Sequence, residues 1–424
     1  MLTIDVHGLD VARARLFDRE ARIVGWGTGS VFDYFHGLFP VRLDYLVDND
    51  VSRRGERRRG FGIARPERLA SEDPSRTCVI IYSSAWPEIR EQIRSIGPFL
   101  ALPASAIFAG ASARARLAWA ESIAARPQAP RRPRAYNSIV VQGPVLAGVT
   151  AHVLRLTQTL HPGDLVLLST WDDTDPALLA EAGAVADDVV VSRRPSVCGV
   201  QNRNAQIVST RAGIERAMTL GAKTILKTRS DLAVLADSVF GRSRWWLDSI
   251  DRKAPREAGL RDRLIVPSSF TRKFLLYHPS DLVMLGAAED LARYWSAPLD
   301  PREGQLMSPE ALDRPIAEVN MDGHPAESYL GLQFNRVLGR PAPGTVRDSW
   351  AFYRDLFAVV DNDWFEMLWF KNLSIPDATL RSGVRQMVSQ LFWQRLNAGD
   401  QSVERELADV DPAQIALRAL AGAA

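Results

Sequence analysis

Thr224-Ile225-Leu226-Lys227-Thr228-Arg229-Ser230-Asp231 is an apolar stretch of strand length that ends in charge. Ahead of it, Asn202-Arg203-Asn204-Ala205-Gln206-Ile207-Val208-Ser209-Thr210-Arg211-Ala212-Gly213-Ile214 opens a helical pattern loaded with amides and hydroxyls. A polar helix start followed by a short buried strand closing on a carboxylate is the alternation of an α/β protein. In open α/β sheets, ligands sit outside the carboxyl ends of strands, where loop polar groups and helix amino-termini converge on phosphates. Residues 202–231 therefore read as part of a phosphate-facing site.

The same grammar extends on both sides. Ser138-Ile139-Val140-Val141-Gln142-Gly143-Pro144, Asp164-Leu165-Val166-Leu167-Leu168-Ser169-Thr170-Trp171 and Asp188-Val189-Val190-Val191-Ser192 read as buried parallel strands. Helical periods run from His152 to Leu160, Pro176 to Ala184 and Glu327 to Leu338. Leu264-Ile265-Val266-Pro267, Phe274-Leu275-Leu276-Tyr277 and Phe357-Ala358-Val359-Val360 read as later strands. Upstream, Arg22-Ile23-Val24-Gly25-Trp26-Gly27-Thr28-Gly29-Ser30, Leu43 to Asn49 and Cys78 to Ser83 form a Rossmann-like opening. The prolines of Arg126-Pro127-Gln128-Ala129-Pro130-Arg131-Arg132-Pro133-Arg134 block helix and sheet alike and mark a linker. The expected organisation is a Rossmann-like domain over 1–112, a helix and linker over 113–136, a second α/β domain over 137–375 and a helical tail over 376–424.

Composition narrows the function. The formal net charge of +2 is too small for bulk nucleic-acid binding, so any polyanion site is local. No apolar run approaches the roughly 20 residues that cross a bilayer. The start lacks the pattern of a signal peptide, and Cys78 and Cys198 are the only cysteines, which leads us to expect a reducing cytoplasm. The cluster Arg242-Ser243-Arg244-Trp245-Trp246 suits either peripheral contact with a membrane or a core helix.

Six motifs occur in the order found in one known family: Ile139 to Pro144; Leu168 to Trp171; Asn204 to Thr210 with Gly213; Leu226 to Asp231; Tyr277-His278-Pro279-Ser280-Asp281; and Ala326-Glu327-Ser328-Tyr329-Leu330. In these the chain resembles the WavE-type lipopolysaccharide synthesis proteins, which are similar to glycosyltransferases of GT-A fold. The resemblance covers roughly residues 137 to 375. It implies a nucleotide-diphospho-sugar transferase domain that moves a sugar from a nucleoside-diphosphate donor to a hydroxyl of a cell-surface glycan or glycolipid.

On that reading Gln142, Gly143 and Thr170 face the nucleotide, and Asn204, Gln206, Ser209 and Arg211 gather near a helix start. Asn204 alternatively serves only as an N-cap. Asp231 stands where such transferases usually carry Asp-x-Asp holding Mg²⁺ or Mn²⁺, with one carboxylate in place of two; Lys227 and Arg229 share the neutralisation. Asp231 alternatively caps the next helix. Glu327, at a helix start that would keep it ionised, is the first candidate for the base that deprotonates the acceptor, with Asp281 its rival and His278 able to do similar work. Asp361-Asn362-Asp363 reads as a solvated turn or a metal or acceptor site.

In the first module, Gly25, Gly27, Gly29 and Asp48 echo a dinucleotide fingerprint without its spacing, so a cofactor-free domain is expected over one that binds NAD. Two further functions fit the chain: an NAD-dependent sugar-modifying oxidoreductase, and a catalytically silent nucleotide-sugar binder.

Overall fold

The computed structural model describes residues 11–12, 14–16, 18–38, 40–83, 85–107, 111–127, 131, 133–302, 315–371, 373, 386–408 and 411. The chain is mixed α/β and divides into two compact units. The first holds the described residues of 1–125, 146–152 and 368–378, the second those of 126–145, 153–367 and 379–424.

In the first unit, β1 (Arg22–Trp26), β2 (Tyr45–Val47), β3 (Arg57–Arg58), β4 (Phe61–Ala64), β5 (Thr77–Ile81) and β6 (Leu100–Pro103) form one sheet in the order β3-β4-β2-β1-β5-β6. All neighbours run parallel except β3 against β4. β5 is buried along its whole length, as its near-continuous apolar run requires. Helix α1 (Ser30–Leu38) follows β1, and α2 (Trp86–Ile96) follows β5. β3, β4 and β6 carry little apolar periodicity and had no strand signature in the sequence.

In the second unit, β7 (Arg134–Gln142), β8 (Asp164–Trp171), β9 (Asp188–Ser192), β10 (Thr224–Arg229), β12 (Leu264–Pro267), β13 (Met284–Ala287) and β14 (Phe357–Val360) pair in the order β14-β12-β13-β10-β7-β8-β9; β11 (Leu232–Val234) directly follows β10 outside that sheet. β13 runs antiparallel to β10 and β12, and the remaining pairs are parallel. The carboxyl ends of β7, β8, β10, β12 and β14 thus share one edge, and β13 begins there.

The helices of this unit include α3 (Pro176–Gly183), α4 (Arg203–Thr219), α5 (Val239–Ser249), α6 (Ala288–Tyr294), α7 (Ala326–Val337), α8 (Val346–Leu356), α9 (Gln390–Asn397) and α10 (Ser402–Ala408). α4 lies directly on the sheet because of Gly213: a Cβ there would stand 2.5 Å from Val140 Cγ1 and 3.0 Å from Ser169 Cβ. α9 and α10, expected as a separate tail, fold into this unit. Trp393 Nε1 donates to the Tyr353 carbonyl at 3.1 Å, and Lys273 Nζ meets Glu406 Oε2 at 2.7 Å.

Phe274 to Tyr277, expected as a strand, is a loop. Its apolar side chains are buried, but its amides bond to side chains: Leu276 N to Asn320 Oδ1 at 3.0 Å and Tyr277 N to Ser349 Oγ at 2.8 Å. The strand at this place in the chain is β13. Among the described residues, no helix is long and apolar enough to cross a membrane.

Candidate functional site

The shared strand edge of the second unit gathers many of the polar residues marked in the sequence. At the end of β7, Gln142 Nε2 donates to Ser209 Oγ at 3.0 Å, and Ser209 Oγ donates to the Ala205 carbonyl at 2.9 Å. Ser169 Oγ, on β8, donates to the Ser209 carbonyl at 2.7 Å. These bonds tie α4 to two strand ends. Next door, Thr170 is fully buried, with its hydroxyl 3.4 Å from that of Thr174.

Gly143 then turns with φ 131°, and a Cβ at that position would stand 2.7 Å from Ser230 Oγ. Gly143→Ala therefore meets both a disfavoured backbone and a close contact. It is expected to cost about 1–3 kcal/mol in a denaturant titration, and an unchanged midpoint would contradict this packing.

Beyond β10 the edge becomes charged. Lys227 is fully buried on β10; its ammonium donates to the Asp281 main-chain carbonyl and lies 5.0 Å from the centre of the Trp295 ring. Burial pulls it down to about 8, against the opposing pull of the Asp281 charge. Arg229 grips Asp231 in a fork, Nε to Oδ1 at 2.8 Å and Nη2 to Oδ2 at 3.1 Å. Burial alone would lower the Arg229 guanidinium, but the Asp231 carboxylate outweighs it and the net shift is upward.

Glu327 opens α7 and faces His278, with Oε2 3.5 Å from His278 Nε2. His278 Nδ1 lies 2.9 Å from the Phe270 carbonyl. A carbonyl only accepts, so Nδ1 carries the proton and Nε2 presents a lone pair to Glu327. Burial, reinforced by Arg272, drives His278 down to about 3, which leaves it neutral at working pH and removes it as an acid.

Burial and then the like charge of Asp281 push Glu327 up to about 7. The helix start thus does not hold Glu327 in the ordinary carboxylate range: shelter and Asp281 outweigh the backbone amide. Its side chain keeps 20% of its surface open, enough to meet a ligand.

The loop bearing His278 and Asp281 is strained. Phe270 and Tyr277 hold φ of 65° and 52°, conformations that cost a non-glycine residue about 1–3 kcal/mol and cluster at ligand sites. The Tyr353 hydroxyl, accepting from His278 N at 2.7 Å, helps to pin it.

Other residues picked from the sequence have different surroundings. Asn204 lies inside α4 and does not cap it; its amide donates to the Val197 and Asp300 carbonyls at 2.8 and 2.7 Å and accepts from Asp300 N at 2.7 Å. Arg211 donates to the carbonyls of Trp295 at 3.2 Å and Ala297 at 2.5 Å. Gln206 keeps a buried Oε1 with no partner among the described residues. Asp361 exchanges bonds with Gln390, and Asn362 Oδ1 accepts from Ser269 N at 3.1 Å, so that segment is a braced turn.

Arg203, absent from the sequence reading, is fully buried; its Nη1 lies 3.0 Å from Asp300 Oδ2 and donates to the Gly323 carbonyl at 2.7 Å. Asp300 and Gly323 lie about a hundred residues away, and its local partner is the Val200 main-chain carbonyl, so no sequence pattern marks it. Arg272 was equally silent, a cation in a loop bonded to Gln386 Oε1 at 3.1 Å.

The donor set fits a divalent cation poorly. The Asp231 oxygens already engage Arg229, and no group of three or more His, Cys, Asp or Glu among the described residues is placed to hold a metal. In the first unit, a cavity of about 410 Å³ lies at the ends of β1, β2 and β5, lined by Gly27, Thr28, Asp48 and Tyr82 among others. There Asp48 Oδ2 accepts from Thr28 N at 2.9 Å and from its hydroxyl, and Oδ1 accepts from Asp50 N at 2.9 Å. The acid that would take a ribose hydroxyl thus already accepts bonds from the turn after β1 and from its own loop.

No curated protein and no solved structure matches the chain. Residues 137–322 match a family model described as WavE lipopolysaccharide synthesis, which runs from within β7 through β13, takes in Lys227, Arg229, Asp231 and Asp281, and stops short of Glu327. Over that segment the chain is similar to the WavE lipopolysaccharide synthesis family, a likeness that points to a glycosyltransferase-like role in lipopolysaccharide synthesis.

Proposed function

We propose that the second unit is a GT-A-like glycosyltransferase that moves a sugar from a nucleoside-diphosphate donor to a hydroxyl of a lipopolysaccharide-type acceptor. The observation that carries this reading is the juxtaposition of a buried cation, Lys227, and a half-buried one, Arg229, with a carboxyl raised to about 7, Glu327, at one strand edge. The cations offset the charge that grows on the departing diphosphate. Gln142, Gly143 and Thr170 frame the nucleotide side, and Gln206 offers a free buried acceptor. Asn204, Ser209 and Arg211 hold α4 and the adjoining loop in place. Glu327 takes the proton of the attacking hydroxyl, positioned by His278, and Asp281 keeps its affinity for that proton high.

Since Arg229 occupies the Asp231 carboxylate, charge neutralisation falls to side chains and no step is assigned to a metal. Transfer assayed with a panel of labelled nucleotide sugars is expected to survive chelation by EDTA. Loss of transfer in EDTA and recovery with Mn²⁺ would contradict that assignment, and absence of transfer from every donor would sink the transferase reading. The Arg229–Asp231 fork also suits a silent nucleotide-sugar binder, which would take up donor and never turn it over. The commitment of Asp48 to Thr28 favours a structural first unit over an NAD-binding one.

A further inference from the structure

At the opposite end of the same sheet, a cavity of about 420 Å³ lies beside Asn137, Thr224 and Ala287. Thr224 lines it, and Arg229 of the charged edge stands five residues farther along β10, about 17 Å at strand rise. Five cations line it, Lys223, Arg244, Arg252, Arg256 and Arg261, against one carboxylate, Asp262.

That carboxylate is spent on Arg252, 3.1 Å from its Nε, and Asp248 is paired to Arg252 as well. Arg244 reaches Asp248 only at 3.9 Å. Lys223, Arg256 and Arg261 are exposed and form no ion pair among the described residues. In a chain whose formal net charge is only +2, this is a strong local excess. On this concave wall two unpaired guanidinium groups and one ammonium match the oxygens of a phosphate group, which arginine binds through paired N–H donors. Trp245, beside Arg244 on α5, is 66% exposed, and Tyr136 at the cavity is 54% exposed, the pairing of amphipathic rings with cations found at bilayer interfaces.

We propose that this cavity is a second, non-catalytic site that binds a phosphate-bearing ligand through Lys223, Arg256 and Arg261. The ligand is the headgroup of an anionic lipid or a free phosphate compound, and the test separates these sources. It is independent of the transferase reading, because none of its residues belongs to the charged edge.

Full-length protein is sedimented with vesicles of equal parts phosphatidylglycerol and phosphatidylcholine and with vesicles of phosphatidylcholine alone, and is titrated calorimetrically with inorganic pyrophosphate. Each basic side chain near an anionic surface contributes about fivefold, so combining Arg256→Ala with Arg261→Ala is expected to weaken binding about thirtyfold, and raised salt weakens it further. Lys227→Met serves as control, since binding at this cavity persists in it while nucleotide binding weakens. Vesicle binding that falls in the double variant assigns a lipid headgroup. Pyrophosphate binding that falls without vesicle binding assigns a soluble phosphate. Binding to neither probe, or binding that the double variant leaves intact, overturns the site.

Discussion

Glu327→Gln is expected to slow sugar transfer by about 10²–10⁴-fold, the usual contribution of a general base, while leaving nucleotide affinity unchanged. Because burial and Asp281 hold Glu327 at about 7, wild-type transfer should climb as pH rises to about 7 and level off above it, since the base works only when unprotonated. The variant should lack that limb.

Stability moves the other way. A carboxyl raised above its unfolded value contributes stability that is complete below the unfolded value and is lost as pH rises through about 7. Above pH 7, Glu327→Gln should therefore unfold at higher temperature than wild type, which separates a lost base from a damaged fold. A variant with full activity, or a wild-type profile flat across pH 7, would contradict the role given to Glu327.

Lys227→Met is the second large effect. Removing a positive charge that acts on the diphosphate from inside the strand edge is worth about 1.5–3 kcal/mol, or about 10- to 150-fold in donor affinity. The ammonium also costs stability: it is drawn from 10.5 to about 8 by burial, so the unfolded chain holds a proton that the folded chain releases between those values. The penalty is complete below about pH 8 and fades as pH rises from there to the unfolded value, with a slope of at most about 1.4 kcal/mol per pH unit. Lys227→Met keeps the stem packed against Trp295 and should abolish this slope. Unfolding curves with the same alkaline slope in both proteins would argue against a buried ammonium.

The fold was legible where burial leaves a continuous apolar run. Asp164–Trp171, Asp188–Ser192, Leu264–Pro267 and Phe357–Val360 stand as read, and the helix Ala326–Val337 lies within one residue of its expected bounds. Strands of two to four residues at the sheet margins, such as Arg57–Arg58 and Leu100–Pro103, carry too few side chains to set a period. Phe274 to Tyr277 misled because apolar burial was read as strand, whereas its backbone is satisfied by Asn320 and Ser349 from distant helices.

In the site, Lys227, Arg229, Asp231, Asp281 and Glu327 were visible as charges closing apolar stretches or opening a helix. What the sequence could not disclose was their mutual influence. The Arg229–Asp231 fork, the lone pair that His278 turns to Glu327 and the upward push on Glu327 all depend on three-dimensional approach. Arg203 and Arg272 were silent for the same reason, since their partners arrive from other parts of the chain.

The most direct measurement is calorimetric titration of wild type and Lys227→Met with a panel of nucleoside diphosphates in EDTA. At least one nucleotide is expected to bind wild type without metal and to bind Lys227→Met about 10- to 150-fold more weakly. Equal affinity in the two proteins, or no binding by any nucleotide, would contradict a donor site at this strand edge.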